Sequence, residues 1–314
     1  MITWIIIAAL LAGWVILNLP RRRSDGELLS KIHPYRRMLS FMMVGRNEAI
    51  VYYDDYVRVS ALLDYIERAK QVLGTEVDIT HCLVASLSKA FAKNPCMNRF
   101  IAGQRLYQRK HIDLTFSMKR KRLNREAKLA AVKLRFTGEE PFADTCARIN
   151  GKIEVERSGS ETHSDKELGF FTRLPRPILA FCIRTVRWLD YHNLVPASFI
   201  EHDGFYTSMF LANLGSIGMN AGFHHLYEYG TCPLFLMVGR IEERPWVVDG
   251  KVVPEKILHL RYSYDERIDD AFTSRFGIDA AREALERPDE LLGPMPTAPA
   301  VTTDPVPTAP GGAA

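Results

Sequence analysis

Alternation and helical spacing divide the chain into elements before its composition is considered. Residues 2–19 form an almost wholly apolar, uncharged run with Trp4 and Trp14. As a helix it would reach about 27 Å, close to one bilayer core. No basic residue precedes it, and Pro20, Arg21, Arg22 and Arg23 follow. That pattern lacks the marks of a cleaved signal peptide. It predicts a single transmembrane anchor over 2–19 in contact with the lipid bilayer, with the main domain cytoplasmic; a buried N-terminal helix is the alternative. Residues 20–31 read as a juxtamembrane linker. His33 to Arg46 mixes basic and apolar residues, with Arg36 and Arg37 free to face anionic head groups.

Ala49 to Val59, rich in Tyr and Val, predicts a strand. Ser60 to Leu73 predicts a helix with Leu62, Leu63, Ile66, Ala69, Val72 and Leu73 on one broad face, Ser60 as N-cap and Gly74 as stop. Thr80 to Lys93 predicts a second amphipathic helix ended by Pro95. Ile112 to Met118 and Leu129 to Phe136 read as a hairpin whose basic tip is Lys119 to Arg125, a solvated turn or a phosphate or membrane contact. Phe142 to Val155 predicts a helix, and Arg157 to Lys166 a loose polar stretch. Pro177 to His192 predicts an amphipathic helix. Its flanking Arg173, Arg176, Arg184 and Arg187 suit a membrane surface as well as core packing.

In the second half, Ser208 to Ala212 predicts a strand running into Asn213-Leu214-Gly215-Ser216-Ile217-Gly218. Leu234 to Val238 reads as a buried strand. Trp246 to Val253 reads as a hairpin on an Asp249-Gly250 turn. A strand from Ile257 then delivers Asp265-Glu266-Arg267-Ile268-Asp269-Asp270 to a helix over Phe272 to Leu285. Residues 289–314, rich in Pro, Ala and Thr, predict a disordered tail. The length allows one large domain or two smaller ones.

A net charge of +4 is too weak to argue for a nucleic-acid partner. The five cysteines are scattered without a CxxC pair, so neither a disulfide framework nor a metal site is indicated. The chemistry therefore concentrates at the strand-to-helix junction, where acids and an arginine can be aimed by a rigid scaffold or can simply cap a helix.

The order of these motifs resembles a known family. Asn213-Leu214-Gly215 after a strand, Gly239 after an apolar strand, the Val247-Val248-Asp249-Gly250-Lys251-Val252-Val253 hairpin and the acid-arginine motif are similar to the catalytic domain of dihydrolipoamide acyltransferases. These are the acyltransferase components of 2-oxoacid dehydrogenase complexes, which share a fold with chloramphenicol acetyltransferase. Ile79-Thr80-His81 to Asn94-Pro95 and Met97-Asn98 agree with the first half of that pattern. The resemblance spans 32–288 and implies one domain with an α/β fold, an α+β sandwich with a mixed central sheet flanked by helices. It implies a homotrimer with its active site between subunits, and CoA or acyl-CoA as co-substrate.

The resemblance also locates departures. Glu266 stands where the family keeps its catalytic His, and Ala212 where it keeps an oxyanion Ser. Asp265, Arg267, Asp270, Asn213 and Gly215 match. An arginine of the entry segment, Arg37 or Arg46, is expected to pair with Asp270. His224 and His225 border the implied acyl channel, and His225 is a further catalytic candidate. Ser216, Ser208, Thr207 or a backbone N–H near Gly215 could replace the missing hydroxyl. No lipoyl domain is expected, so the chain is not expected to be a standard complex core. Two readings follow: an acyltransferase with a modified site, or a catalytically inactive trimeric scaffold or ligand-binding relative.

Overall fold

The computed structural model describes residues 1–19, 22–120, 129–158, 169 and 172–296. In chain order its elements are α1 (Ile2–Asn18), β1 (Gly26–Leu28), α2 (Pro34–Met42), β2 (Ile50–Arg58), α3 (Ser60–Leu73), α4 (Ile79–Lys93), β3 (Arg99–Ala102), β4 (Arg105–Arg109), β5 (Ile112–Lys119) and β6 (Leu129–Phe136). There follow α5 (Phe142–Arg157), α6 (Arg176–Tyr191), α7 (Ala197–His202), β7 (Met209–Asn213), β8 (Leu234–Val248), β9 (Lys251–Asp265), α8 (Ala271–Glu286) and α9 (Pro288–Leu291). The basic tip from residue 121, the polar stretch from residue 159 and the tail from residue 297 lie outside the described residues.

The main sheet is mixed, in the order β2-β9-β8-β7-β5-β6. β7 runs parallel to both neighbours, and the other pairings are antiparallel. Alternation assigns its two faces. Met209 and Leu211 join the large core with α3, α4, α5 and α8, while Phe210, Phe235 and Met237 form a smaller cluster on the reverse face. α4 starts on a capping box, in which Asp78 accepts from Thr80 and the His81 side chain returns to the Asp78 backbone. The Asp249-Gly250 turn, with φ of 49° and 75°, joins β8 to β9. β8 leaves β7 at a bulge between Val238 and Ile241, β9 leaves β2 at Ile257, and the two strands then continue as a two-stranded ribbon, with Pro245 opposite Pro254.

Several boundary expectations change. Among the described residues, no helix is long and apolar enough to cross a membrane. The expected span over 2–19 is instead a 17-residue helix, α1, about 26 Å long against a hydrocarbon core of about 30 Å. It stops at Asn18, whose side-chain amide turns back to the Trp14 carbonyl at 2.8 Å.

The expected linker contains a strand. β1 pairs with β4, and Asp25 before it is buried. Arg23 does not face outward. It is buried, with Nε 2.9 Å from Asp25 and Nη1 2.9 Å from Asp190 of α6. At the other end, order persists past residue 288. Leu292 and Met295 are buried, and Arg68 holds Asp289 at 2.6 Å.

Candidate active site

β9 ends at Asp265, whose carboxylate is fully buried. The chain then turns, and Arg267 folds back on it. Arg267 Nε lies 2.8 Å from Asp265 Oδ1 and Nη2 2.7 Å from Oδ2, a bidentate pair with the arginine only 2% exposed. The remaining Nη1 donates to the Met43 and Val44 carbonyls at 2.7 and 3.0 Å. The pair thereby ties the end of the central strand to the turn after α2 and fixes the peptide between them.

That peptide is Glu266. Its N–H donates to the Ala49 carbonyl at 3.0 Å, and its side chain is half-buried. Among the described residues its carboxylate has no hydrogen-bond or ion-pair partner. Burial, with the charge of Glu266 behind it, holds the neighbouring Tyr264 hydroxyl above its ordinary range. A cavity of about 190 Å³ opens beside Arg267, lined in part by Val44, Arg46, Tyr206 and Glu228.

Asp270 caps α8 by accepting from Thr273 N at 2.8 Å. Among the described residues, the arginine facing it is Arg36, 3.5 Å away, which also reaches the carbonyls of Glu266 and Arg267. The expectation of Arg37 or Arg46 is corrected. Arg37 is exposed, and Arg46 spends its Nη groups on the Tyr227 and Ile101 carbonyls. The signal was the phase of α2, since Arg36 shares a face with Ser40, its buried residue four positions on.

Asp269 is buried beside this group, with Oδ2 lacking a hydrogen-bond partner and Arg99 3.9 Å away. Burial pushes its carboxyl up, and the Arg99 charge opposes this only in part. Ionisation of Asp269 therefore works against folding. The penalty is absent below the unfolded-state value of about 3.9, grows with pH to the raised folded value and is constant above it. Asp269→Asn is expected to raise the urea midpoint at pH 7. The gain should vanish below about pH 4, and an equal gain at both pH values would contradict this account.

The other half of the expected site lies elsewhere. Asn213 ends β7 and pairs in register with Val238, which pairs with Leu260. Six residues separate Leu260 from Glu266, about 20 Å along the strand. Within one chain, Glu266 and Asn213 thus occupy opposite ends of the sheet.

Asn213 Nδ2 donates to Thr80 Oγ1 at 3.2 Å, and Asn213 Oδ1 accepts from Ser216 N at 3.1 Å. Thr80 is a partner that sequence reasoning missed, because it comes from the N-terminus of α4. A Cβ on Gly215 would meet the Gly239 carbonyl oxygen at 2.3 Å, so glycine is required there. Ala212 turns to the reverse face. Of the expected substitute hydroxyls, Thr207 and Ser208 are buried at the start of β7 and bonded to Asp113 backbone atoms. They are remote from Ala212. Ser216 is exposed and donates to the Asn213 carbonyl.

His224 and His225 do not meet Glu266 through any hydrogen bond or ion pair among the described residues. His224 is the more buried and stacks on Phe235 with ring centres 3.8 Å apart. Burial, aided by His225, lowers its pKa against an opposing backbone hydrogen bond. His225, the stronger candidate from sequence, is exposed.

The fold and this junction can be compared with known proteins. Residues 202–293 match the family model for 2-oxoacid dehydrogenases acyltransferase (catalytic domain). A probable dihydrolipoamide acetyltransferase from Listeria monocytogenes superposes with a TM-score of 0.57 at 14% identity, covering 87% of this chain and 98% of that one. Chloramphenicol acetyltransferase superposes at 0.51 with 9% identity, covering 83% and 99%. The chain has the acyltransferase fold that these two proteins share.

In sequence, 51 residues are 41% identical to the lipoamide acyltransferase component of the branched-chain alpha-keto acid dehydrogenase complex of Pseudomonas putida. That stretch covers 16% of this chain and 12% of the relative. The matched family segment contains Asn213, Gly215 and the whole Asp265–Asp270 junction of this acyltransferase fold.

Proposed function

We propose that the chain is an acyltransferase that moves an acyl group between a CoA thioester and an acceptor, at a site assembled between copies of the chain. One observation carries this reading. The Asp265–Arg267 and Arg36–Asp270 pairs frame position 266, and that position holds a half-buried carboxylate free to accept a proton. Glu266 would take the proton from the attacking CoA thiol or acceptor as the new bond to the acyl carbon forms, and would give it to the departing heteroatom as the tetrahedral intermediate collapses and the old acyl bond breaks. The oxyanion of the tetrahedral intermediate would be met by Ser216 or a backbone N–H near Gly215 of a neighbouring copy. The homotrimer implied by the resemblance would supply that neighbour.

The second reading is an inactive trimeric scaffold or ligand-binding relative. It is favoured by Ala212, which offers no hydroxyl. The readings separate in one experiment on purified full-length protein. Calorimetry with CoA and acetyl-CoA should show binding, and a thiol reagent should detect CoA released from acetyl-CoA in the presence of candidate thiol, amine and alcohol acceptors. Binding without release supports the inactive relative, and no binding removes the acyltransferase reading. Light scattering should give three times the chain mass.

A further inference from the structure

Two helices present apolar surface that the other described residues do not cover. α1 has no buried residue and no charge, and Ile2, Trp4, Leu10 and Trp14 are each at least 65% exposed. α6 also has no buried residue. Its exposed apolar positions Ile178, Phe181 and Trp188 follow helical spacing and form one stripe, while Leu179, Cys182, Val186 and Leu189 are half-buried. Phe181 is 69% exposed and Trp188 48%.

The side of α6 that faces the body carries Leu179, Cys182, Val186, Leu189 and Asp190, all half-buried. Asp190 bonds Arg23, the Tyr191 hydroxyl donates to Gln104 at 2.8 Å, and both residues line the cavity beside Arg267. An amphipathic helix packed on a core buries its apolar face, but α6 leaves Ile178, Phe181 and Trp188 outward.

The two helices are also joined. His192 Nδ1 lies 3.1 Å from the Leu17 carbonyl, Arg105 reaches the Asn18 carbonyl, and Arg23 links the segment after α1 to Asp190. The base of α1 thus sits against the C-terminal end of α6.

We infer that α1 and the outward stripe of α6 form one surface for anionic lipid, with α1 entering the apolar layer and α6 lying at the head-group level. Charge selects this occupant over a second copy of the chain. The exposed charged side chains of α6 are Arg176, Arg184 and Arg187, all basic. Its one acid, Asp190, is taken by Arg23. Two copies meeting through these faces would oppose like charges, whereas an anionic bilayer complements them while the arginine stems lie along its apolar boundary. The inference concerns contact with lipid, requires no helix to cross the bilayer, and stands apart from acyl transfer.

Vesicle flotation of the full-length protein tests it, with vesicles of phosphatidylcholine alone or mixed with phosphatidylglycerol. The wild type should float with both. Ile6→Asp with Leu10→Asp, at exposed positions, should leave binding that depends on phosphatidylglycerol and weakens with salt. Adding Arg184→Gln and Arg187→Gln should reduce that remaining binding about 30-fold at low salt, roughly fivefold per charge. Circular dichroism confirms that the variants stay folded. The inference is overturned if the wild type stays in the dense layer, or if the arginine changes leave the remaining binding unaltered. It is also overturned if lipid-free protein self-associates through these faces and Phe181→Asp disperses it.

Discussion

Glu266→Gln is expected to slow acyl transfer by about 10²- to 10⁴-fold, the usual cost of removing a positioned base. The substitution keeps size and polarity but removes the proton acceptor. The buried frame makes the comparison clean, because Asp265, Arg267 and Arg36 hold the neighbouring backbone without using the Glu266 side chain. The loss should therefore fall on the rate, while acetyl-CoA affinity from calorimetry stays the same. Glu266→His sharpens the test. An ordinary imidazole is a stronger base than an ordinary carboxylate by about two pH units. If the site still directs a base at the reacting proton, the His variant should be faster than the wild type near neutral pH. Equal rates for wild type and Glu266→Gln would remove Glu266 from the chemistry.

Asp265→Ala should cost about 3–5 kcal/mol of stability, the range for breaking a buried ion pair by deleting one partner. Arg267 would keep its charge at 2% exposure and lose two of its side-chain acceptor contacts. With whole-domain stabilities of about 5–15 kcal/mol, this is a large fraction of the total. Urea unfolding should show it as a lower midpoint. The double variant Asp265→Leu with Arg267→Met removes the stranded charge and should recover part of the loss. A single variant as stable as the wild type would mean that the pair does not hold the junction.

The helices were legible where the chain satisfies its own ends. α3 falls on residues 60–73 as expected because its apolar stripe is regular and Gly74 stops it, although Val59 rather than Ser60 is the cap. α4 is marked by its capping box and by Pro95. The strands were legible as positions but not as lengths. Leu234 to Val238 and the first arm of the later hairpin are one continuous strand, because pairing with β9 continues after the apolar run ends.

At the site, Asp265 and Arg267 could be named from sequence, but not the fact that they neutralise each other. Arg36 and Arg37 differ by one helical step, so choosing between them needs the phase of α2. The separation of Asn213 from Glu266 depends on strand register across β7, β8 and β9, which no local motif carries. The apolar run at 2–19 was visible at once. What sequence could not supply was its junction with α6 through Arg23, since Asp190 lies 165 residues beyond Asp25 and is brought in by packing alone.

The paired prolines of the β8–β9 ribbon bear on solubility. An open two-stranded ribbon has two free edges and is a template for strands of other molecules. Proline has no N–H to offer an incoming strand and is tolerated where a strand is an edge. With Pro245 facing Pro254 across the register, both edges lack a donor at the same level, just short of the exposed Val247 and Val252. The ribbon can thus extend into solvent while remaining a poor seed for edge-to-edge growth.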